Sequence, residues 1–252
     1  MIIPGRLTHY ELQMLRKLNR WQKEMQLPQS RLSRISKRFQ DRFNRMIPDK
    51  VHNTITAVIR KIVEAVLFTS EFIKPALDSG ASLEEREKRV KTRMEYYRTT
   101  AAAEGGITGW GGFWSAMADF PALLTIKLKF LFDVAAIYGY NTANMNERIF
   151  LLKVFQLAFS SPLKKKETYL QMAAWAEDAR SIPSDPEALD WYRFQQDYRD
   201  YLDVAKLLQM IPGIGAAVGL VVNYNLMNRL ADTAIMCYRL RWMHEKSGTR
   251  DG

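Results

Sequence analysis

Five charged residues stand inside otherwise apolar sequence: Glu104, Asp119, Lys127, Lys129 and Asp133. Two amines and three carboxylates suffice for general acid–base work, for instance on a lipid or a membrane peptide, if they line one pocket. Burying an unpaired charge is costly, so each group must be paired, capped or close to water. Spacing offers plain partners. Lys129 and Asp133 are an i,i+4 pair, and Asp119 is placed to cap a helix opened by Pro121. Asp197, Asp200 and Asp203 share a helix face at three-residue spacing, a set that could hold a hard cation. Arg193 lies four residues before Asp197 and Arg199 four before Asp203, the pattern of a solvated, ion-paired face. The histidines His9, His52 and His244 are far apart, and no zinc, calcium or phosphate-loop spacing occurs. No metal, cofactor or recognisable catalytic motif is therefore expected.

Glycine marks the unusual backbone. Gly105, Gly106, Gly109, Gly111 and Gly112 form one cluster, and Gly213, Gly215 and Gly219 form another. Each glycine in a helix interior costs about 1 kcal/mol against alanine. Such clusters point to close backbone packing, a pocket wall or a bend. The first cluster follows a helical rather than a strand pattern, so a dinucleotide fingerprint fails its context. Gly105/Gly109 and Gly215/Gly219 share a small-xxx-small spacing, a weak sign of an internal repeat.

The net charge is +10, and residues 1–60 carry thirteen Lys/Arg against four Asp/Glu, so nine of the ten charges belong there. Within that region Arg31, Arg34, Lys37, Arg38, Arg42 and Arg45 flank a narrow apolar stripe containing Phe39 and Phe43. A basic amphipathic helix of this kind suits the surface of an anionic membrane. It also suits a helix that covers a core with its basic side in water. Nucleic-acid binding by residues 16–60 is the weaker alternative, because no recognised motif accompanies the charge. The lone Cys237 rules out an internal disulfide framework. The N-terminus shows no secretory leader pattern, so a cytoplasmic location is expected.

The elements that position these residues read as helices throughout, an all-α single domain over 1–252. Basic N-terminal helices fill 1–60, a core fills 61–245 and a polar tail fills 246–252. Helices are expected over 10–25, 30–46, and from Pro48 through Val66. Another runs from the Ser82–Glu85 capping box through about Ala103, ended by Gly105-Gly106. Residues 113–118 and 121–138 are read as separate helices with Asp119-Phe120-Pro121 between them. A turn at 138–144, a helix over 147–159 capped by Asn146, and helices over 163–180, 187–210 and 214–245 complete the series. The 22 uncharged residues 207–228 include Gln209, Pro212 and three asparagines. They suit a bent core helix or one dipping into an interface better than a membrane span.

The chain resembles the EcsC protein family. The likeness rests on Pro48-Asp-Lys-Val-His52, Glu85-Arg-Glu87, Ala101-Ala-Ala-Glu-Gly-Gly106, Gly109–Gly112 and Ala118-Asp-Phe-Pro121. It continues through Ile126-Lys-Leu-Lys-Phe-Leu-Phe-Asp133, Phe155-Gln-Leu-Ala-Phe-Ser-Ser161, Asp190-Trp191, Phe194–Asp200 and Pro212-Gly-Ile-Gly-Ala216, and spans about residues 10–243. The resemblance implies an all-helical bacterial protein encoded beside an ATP-driven transporter linked to export. It implies no reaction, cofactor or catalytic set. The expected role is that of an accessory or scaffold peripheral to the inner membrane face, with an anionic membrane surface and a transporter complex as partners. An enzyme using the five charged residues in a glycine-walled pocket is the alternative. The oligomeric state is left open.

Overall fold

The computed structural model describes residues 7–27, 57, 61, 64–68, 72–77, 80–108, 112–160, 162–182 and 215–248. For 101–108, 112–120, 162–163, 179, 215–223 and 248 the description covers the backbone alone. The basic stripe Arg31–Arg45, the row Asp197/Asp200/Asp203 and Gly109, Gly111 and Gly213 lie outside these residues.

Six α-helices have both ends within the described residues: α1 His9–Gln26, α2 Leu83–Thr108, α3 Gly112–Tyr138, α4 Met145–Phe159, α5 Pro162–Glu177 and α6 Gly215–Gly248, and residues 64–68 are helical as well. A 3-10 turn, Ala179–Ser181, follows α5. Among the described residues there is no strand, and the architecture is all-α. Local signals account for most boundaries. Thr8 caps α1 and exchanges hydrogen bonds with Glu11, at 3.2 Å into Thr8 Oγ1 and 2.8 Å into Glu11 Oε2. Ser82 and Glu85 repeat the device at the start of α2.

Three boundaries differ from the sequence reading. First, α2 does not stop at Gly105-Gly106 but continues to Thr108. Two glycines cost only about 2 kcal/mol, and packing along α3 and α6 outweighs that. Second, residues 112–138 form one helix with Pro121 inside it, so Asp119 lies within α3 and does not cap a new helix. The expected loss of about 3 kcal/mol at an internal proline is again offset by tertiary contact. Third, the N-cap of α4 is Asn144, whose side chain accepts from the Asn146 amide at 3.0 Å. Asn146 itself sits in the first turn.

The turn after α3 needs a glycine. Gly139 has φ +93°, in the left-handed region. Its amide donates to Ala136 O at 3.0 Å and the Tyr140 amide to Ala135 O at 2.9 Å, a glycine C-cap.

Helix α6 is the central element and packs against each of α1 to α5. Met227, Leu230, Ala231, Ala234, Cys237 and Tyr238 are fully buried along it. Cross-links fix the directions. Glu87 meets Arg239 while Arg98 meets Asn228, so α2 runs antiparallel to α6. Arg86 meets the Ile137 carbonyl while Tyr97 meets Asp133, so α2 and α3 form an antiparallel hairpin. Helix α4 also opposes α6, with Glu147 at Arg241 and the Ser160 carbonyl at Arg229.

One consequence concerns the glycines. The C-terminal end of α2 (Gly105, Gly106) and the N-terminal ends of α3 (Gly112) and α6 (Gly215, Gly219) come to the same end of the helical assembly. Beyond the Ser160–Arg229 contact the described parts of α2, α3 and α6 continue for ~15–20 Å at 1.5 Å per residue. Residues 99–108, 112–126 and 215–228, which make up these three arms, contain only two charged residues, Glu104 and Asp119.

Candidate functional site

Among the described residues, charge is buried mostly at the other end. Glu87, 1% exposed, receives Arg239 Nε at 2.7 Å and Nη2 at 2.8 Å. Tyr10 donates to the same carboxylate at 2.6 Å and Tyr138 at 3.5 Å. Beside it, Glu147 accepts from Arg241 at 2.7 Å and from Tyr238 at 2.5 Å. The Arg241 guanidinium lies 3.7 Å from the Tyr140 ring centroid and 4.5 Å from that of Phe150. Burial pushes the Tyr138 and Tyr238 hydroxyls well above their ordinary value, and the neighbouring carboxylates add to the shift. Glu11 joins Trp242 and Lys246. Burial opposes ionisation of Glu11, but the Lys246 and Thr8 hydrogen bonds outweigh it and hold its carboxyl low. Every member of this set has partners, so the set clamps α1, α2, α3 and α4 onto α6. It offers no free group for chemistry.

Three further buried cations are answered too. Arg86 donates to the Ala81 and Ile137 carbonyls at 2.9 and 3.0 Å. Arg148 donates to the Thr142 and Leu67 carbonyls. Lys153 donates to Gln156 at 2.8 Å and Gln171 at 2.9 Å.

Of the five candidate residues, Asp133 takes its recorded partners from elsewhere than Lys129. Tyr97 donates to it at 3.0 Å, Lys74 lies at 3.7 Å and Arg93 at 3.6 Å. Burial, followed by the Asp133 charge and hydrogen bond, raises the Tyr97 hydroxyl above its ordinary value. Lys129 lies 5.7 Å from the centroid of the Phe72 ring.

Lys127 behaves differently. It is 4% exposed, and among the described residues no carboxylate or hydrogen-bond acceptor meets its ammonium. Burial alone lowers its pKa from 10.5 to about 8. It lies on the face of α3 that carries the buried Leu124, Leu128 and Leu131. Asp133 is six residues on, roughly a third of a turn away around the helix axis. The described candidates therefore do not converge. Glu104 and Asp119 sit in the arms of α2 and α3, and their side chains lie outside the description.

Sequence reasoning missed Glu87, Glu147, Arg239 and Arg241. A signal existed: Arg239 and Arg241 interrupt Cys237-Tyr-Arg-Leu-Arg-Trp-Met243, where apolar residues occupy every face of the helix. It also missed Arg98, whose Nε is a buried donor with no acceptor among the described residues.

Among the described residues no group of three or more His, Cys, Asp or Glu could hold a metal ion. None of the described helices is long and apolar enough to cross a membrane.

Comparison of the sequence with known proteins places the chain in a family. The model of the EcsC protein family matches residues 12–243. Protein EcsC of Bacillus subtilis (strain 168) is 43% identical over 229 residues, 90% of this chain and 94% of that protein. The uncharacterized protein YdbA of the same strain is 31% identical over 150 residues, 59% of this chain and 55% of its own length. No solved structure matches the chain. A match over nearly the whole length, from α1 to the end of the buried part of α6, leads to one statement: the chain belongs to the EcsC protein family.

Proposed function

We propose that this protein is an accessory or scaffold component that docks on the inner face of an acidic membrane and serves a membrane complex such as an export transporter. The observation that carries this reading is the asymmetry of the molecule. Among the described residues, buried ion pairs concentrate at one end, while α2, α3 and α6 bring three nearly uncharged, glycine-bearing arms to the other. A reach of ~15–20 Å is close to the depth of one leaflet of a bilayer whose hydrocarbon core is ~30 Å thick. Such arms enter an interface without crossing it. The nine net positive charges of residues 1–60 add attraction to anionic headgroups. The enzyme alternative draws no support from the described candidates, since Lys127 and Asp133 lie on different sides of α3.

Co-sedimentation with vesicles tests the reading. The protein is expected to bind phosphatidylglycerol vesicles, to release as salt rises, and to ignore neutral vesicles. An Arg34/Lys37/Arg38/Arg42→Ala variant should bind at least tenfold more weakly. Absence of wild-type binding at low salt would overturn the proposal.

A further inference from the structure

We infer that cations and tyrosines around the base of the three arms form a belt that meets the phosphates of an anionic bilayer, a contact separate from the Arg31–Arg45 stripe. The inference rests on the membrane reading above. It adds the residues that touch the headgroups and the depth to which the arms enter.

Contacts place the belt. Arg229 donates to the Ser160 carbonyl at 3.4 Å, and Ser160 Oγ donates to Thr168 Oγ1 at 3.2 Å. The start of α5 therefore lies beside the exposed Arg229, with Lys164 and Lys165 half-buried and Lys166 exposed. On α3, Lys129 stands as many residues before Tyr138 as Arg229 stands before Tyr238. Those tyrosines stack with ring centroids 5.2 Å apart, and α3 and α6 run in the same direction, so Lys129 and Arg229 share a level. On α2, Arg98 pairs with Glu95, meets Asn228 at 3.5 Å and lies 4.1 Å from the centroid of the Tyr224 ring. It holds Tyr224, 39% exposed, at this level, and Tyr96, 60% exposed, stands beside it on α2.

Electrostatics calls for an anionic partner. Among the described residues the carboxylates at this level are Glu24, Glu95 and Glu167, fewer than the cations, while Asp133 and Asp232 lie about a turn further in. Burial and then the Arg229 charge lower the pKa of Lys165, with Glu24 opposing them. The start of a helix carries partial positive charge, so these lysines gain nothing from α5 itself. Phosphates of an acidic leaflet relieve both repulsions.

The surroundings select a bilayer over a dissolved anion. Tyrosine is favoured at headgroup depth, where its ring meets apolar and its hydroxyl polar surroundings. Beyond the belt the sequences of the arms carry only Glu104 and Asp119 as charges. Helix α1 runs from Tyr10 at Glu87 to Trp21 at Tyr169, with ring centroids 5.4 Å apart, and so ends at the belt with Leu27 64% exposed. The basic residues from Arg31 onward follow in sequence from that end.

The test uses the full-length protein and phosphatidylglycerol vesicles. Lys164→Gln/Lys165→Gln/Lys166→Gln is compared with Lys88→Gln/Arg89→Gln/Lys91→Gln, which removes the same charge from exposed positions of α2 near Glu87. Both are checked for wild-type helicity by circular dichroism. The α5 variant is expected to bind about tenfold more weakly than the α2 variant. Depth is read from an environment-sensitive fluorophore on Tyr96→Cys or Tyr224→Cys. Cys237 does not compete for the label, because it is buried and burial pushes its thiol pKa up. A nitroxide on the lipid headgroup should quench either label more than one at the chain end, and should leave a label on Lys88→Cys untouched. Equal loss in the two triple variants, or labels quenched more from the chain end or not at all, overturns the belt while wild-type binding keeps membrane docking standing. Absence of wild-type binding at low salt overturns both. Salt-sensitive binding to duplex DNA that the α5 variant loses, with its vesicle binding unchanged, overturns the belt in favour of a nucleic acid.

Discussion

At Glu87 a single carboxylate collects four hydrogen bonds from two tyrosines and one arginine, nearly all out of water. Removing it leaves Arg239 buried and unpaired. Glu87→Ala is therefore expected to lower unfolding free energy by about 3–5 kcal/mol in urea denaturation. The double variant Glu87→Leu/Arg239→Met should recover part of that loss, because no orphaned charge remains. Lys127 makes the opposite prediction. Its amine titrates at about 8 in the fold against 10.5 ordinarily, so below pH 8 both states are protonated and the burial penalty is fully present. Between pH 8 and 10.5 the unfolded state holds more protons, so stability gains ~3 kcal/mol from this group as pH rises. Lys127→Met should be the more stable protein at pH 7. Its advantage should shrink as pH climbs to 10.5, measured by paired urea titrations.

The turn between α3 and α4 is where an element boundary and a buried side chain depend on each other. A Cβ on Gly139 would lie 2.8 Å from Arg86 Nη1, which donates to the Ile137 carbonyl. Gly139→Ala meets both the left-handed backbone penalty of 1–2 kcal/mol and displacement of that guanidinium. A loss of about 2–3 kcal/mol is expected in denaturant unfolding, with the helical circular dichroism unchanged. The elements also show how far local signals reach. The capping boxes at Thr8 and Ser82 start helices where their side chains predict. Gly105-Gly106 and Pro121 do not stop helices, because contact with α6 and the hairpin partner outweighs costs of a few kcal/mol.

Across the whole molecule, the C-terminal half of α6 should be the most strongly protected segment. The half from Ala231 to Met243 is locked by Arg239, Arg241 and the Tyr238 stack against α2, α3 and α4. Amide hydrogen exchange is expected to be slowest over 231–243 and 147–158, close to the rate set by global unfolding. Fast exchange over either stretch would contradict the role of these contacts in holding the helices together.

Much of this protein is legible in its sequence. Apolar residues at three- and four-residue spacing declare helices, and the two capping boxes and the turn at Gly139 are local chemistry that a few neighbouring residues decide. The concentration of charge in residues 1–60 and the glycine clusters are equally plain. Spacing alone paired Lys129 with Asp133, whereas the fold brings Lys74, Arg93 and Tyr97 to Asp133 instead. Nor could spacing show that Glu87 meets Arg239 across 152 positions of sequence, or that Lys127 meets no acceptor among the described residues. Helix formation depends on contacts within a few residues. Whether a buried charge is answered depends on which distant helices lie across from it, and only tertiary packing decides that.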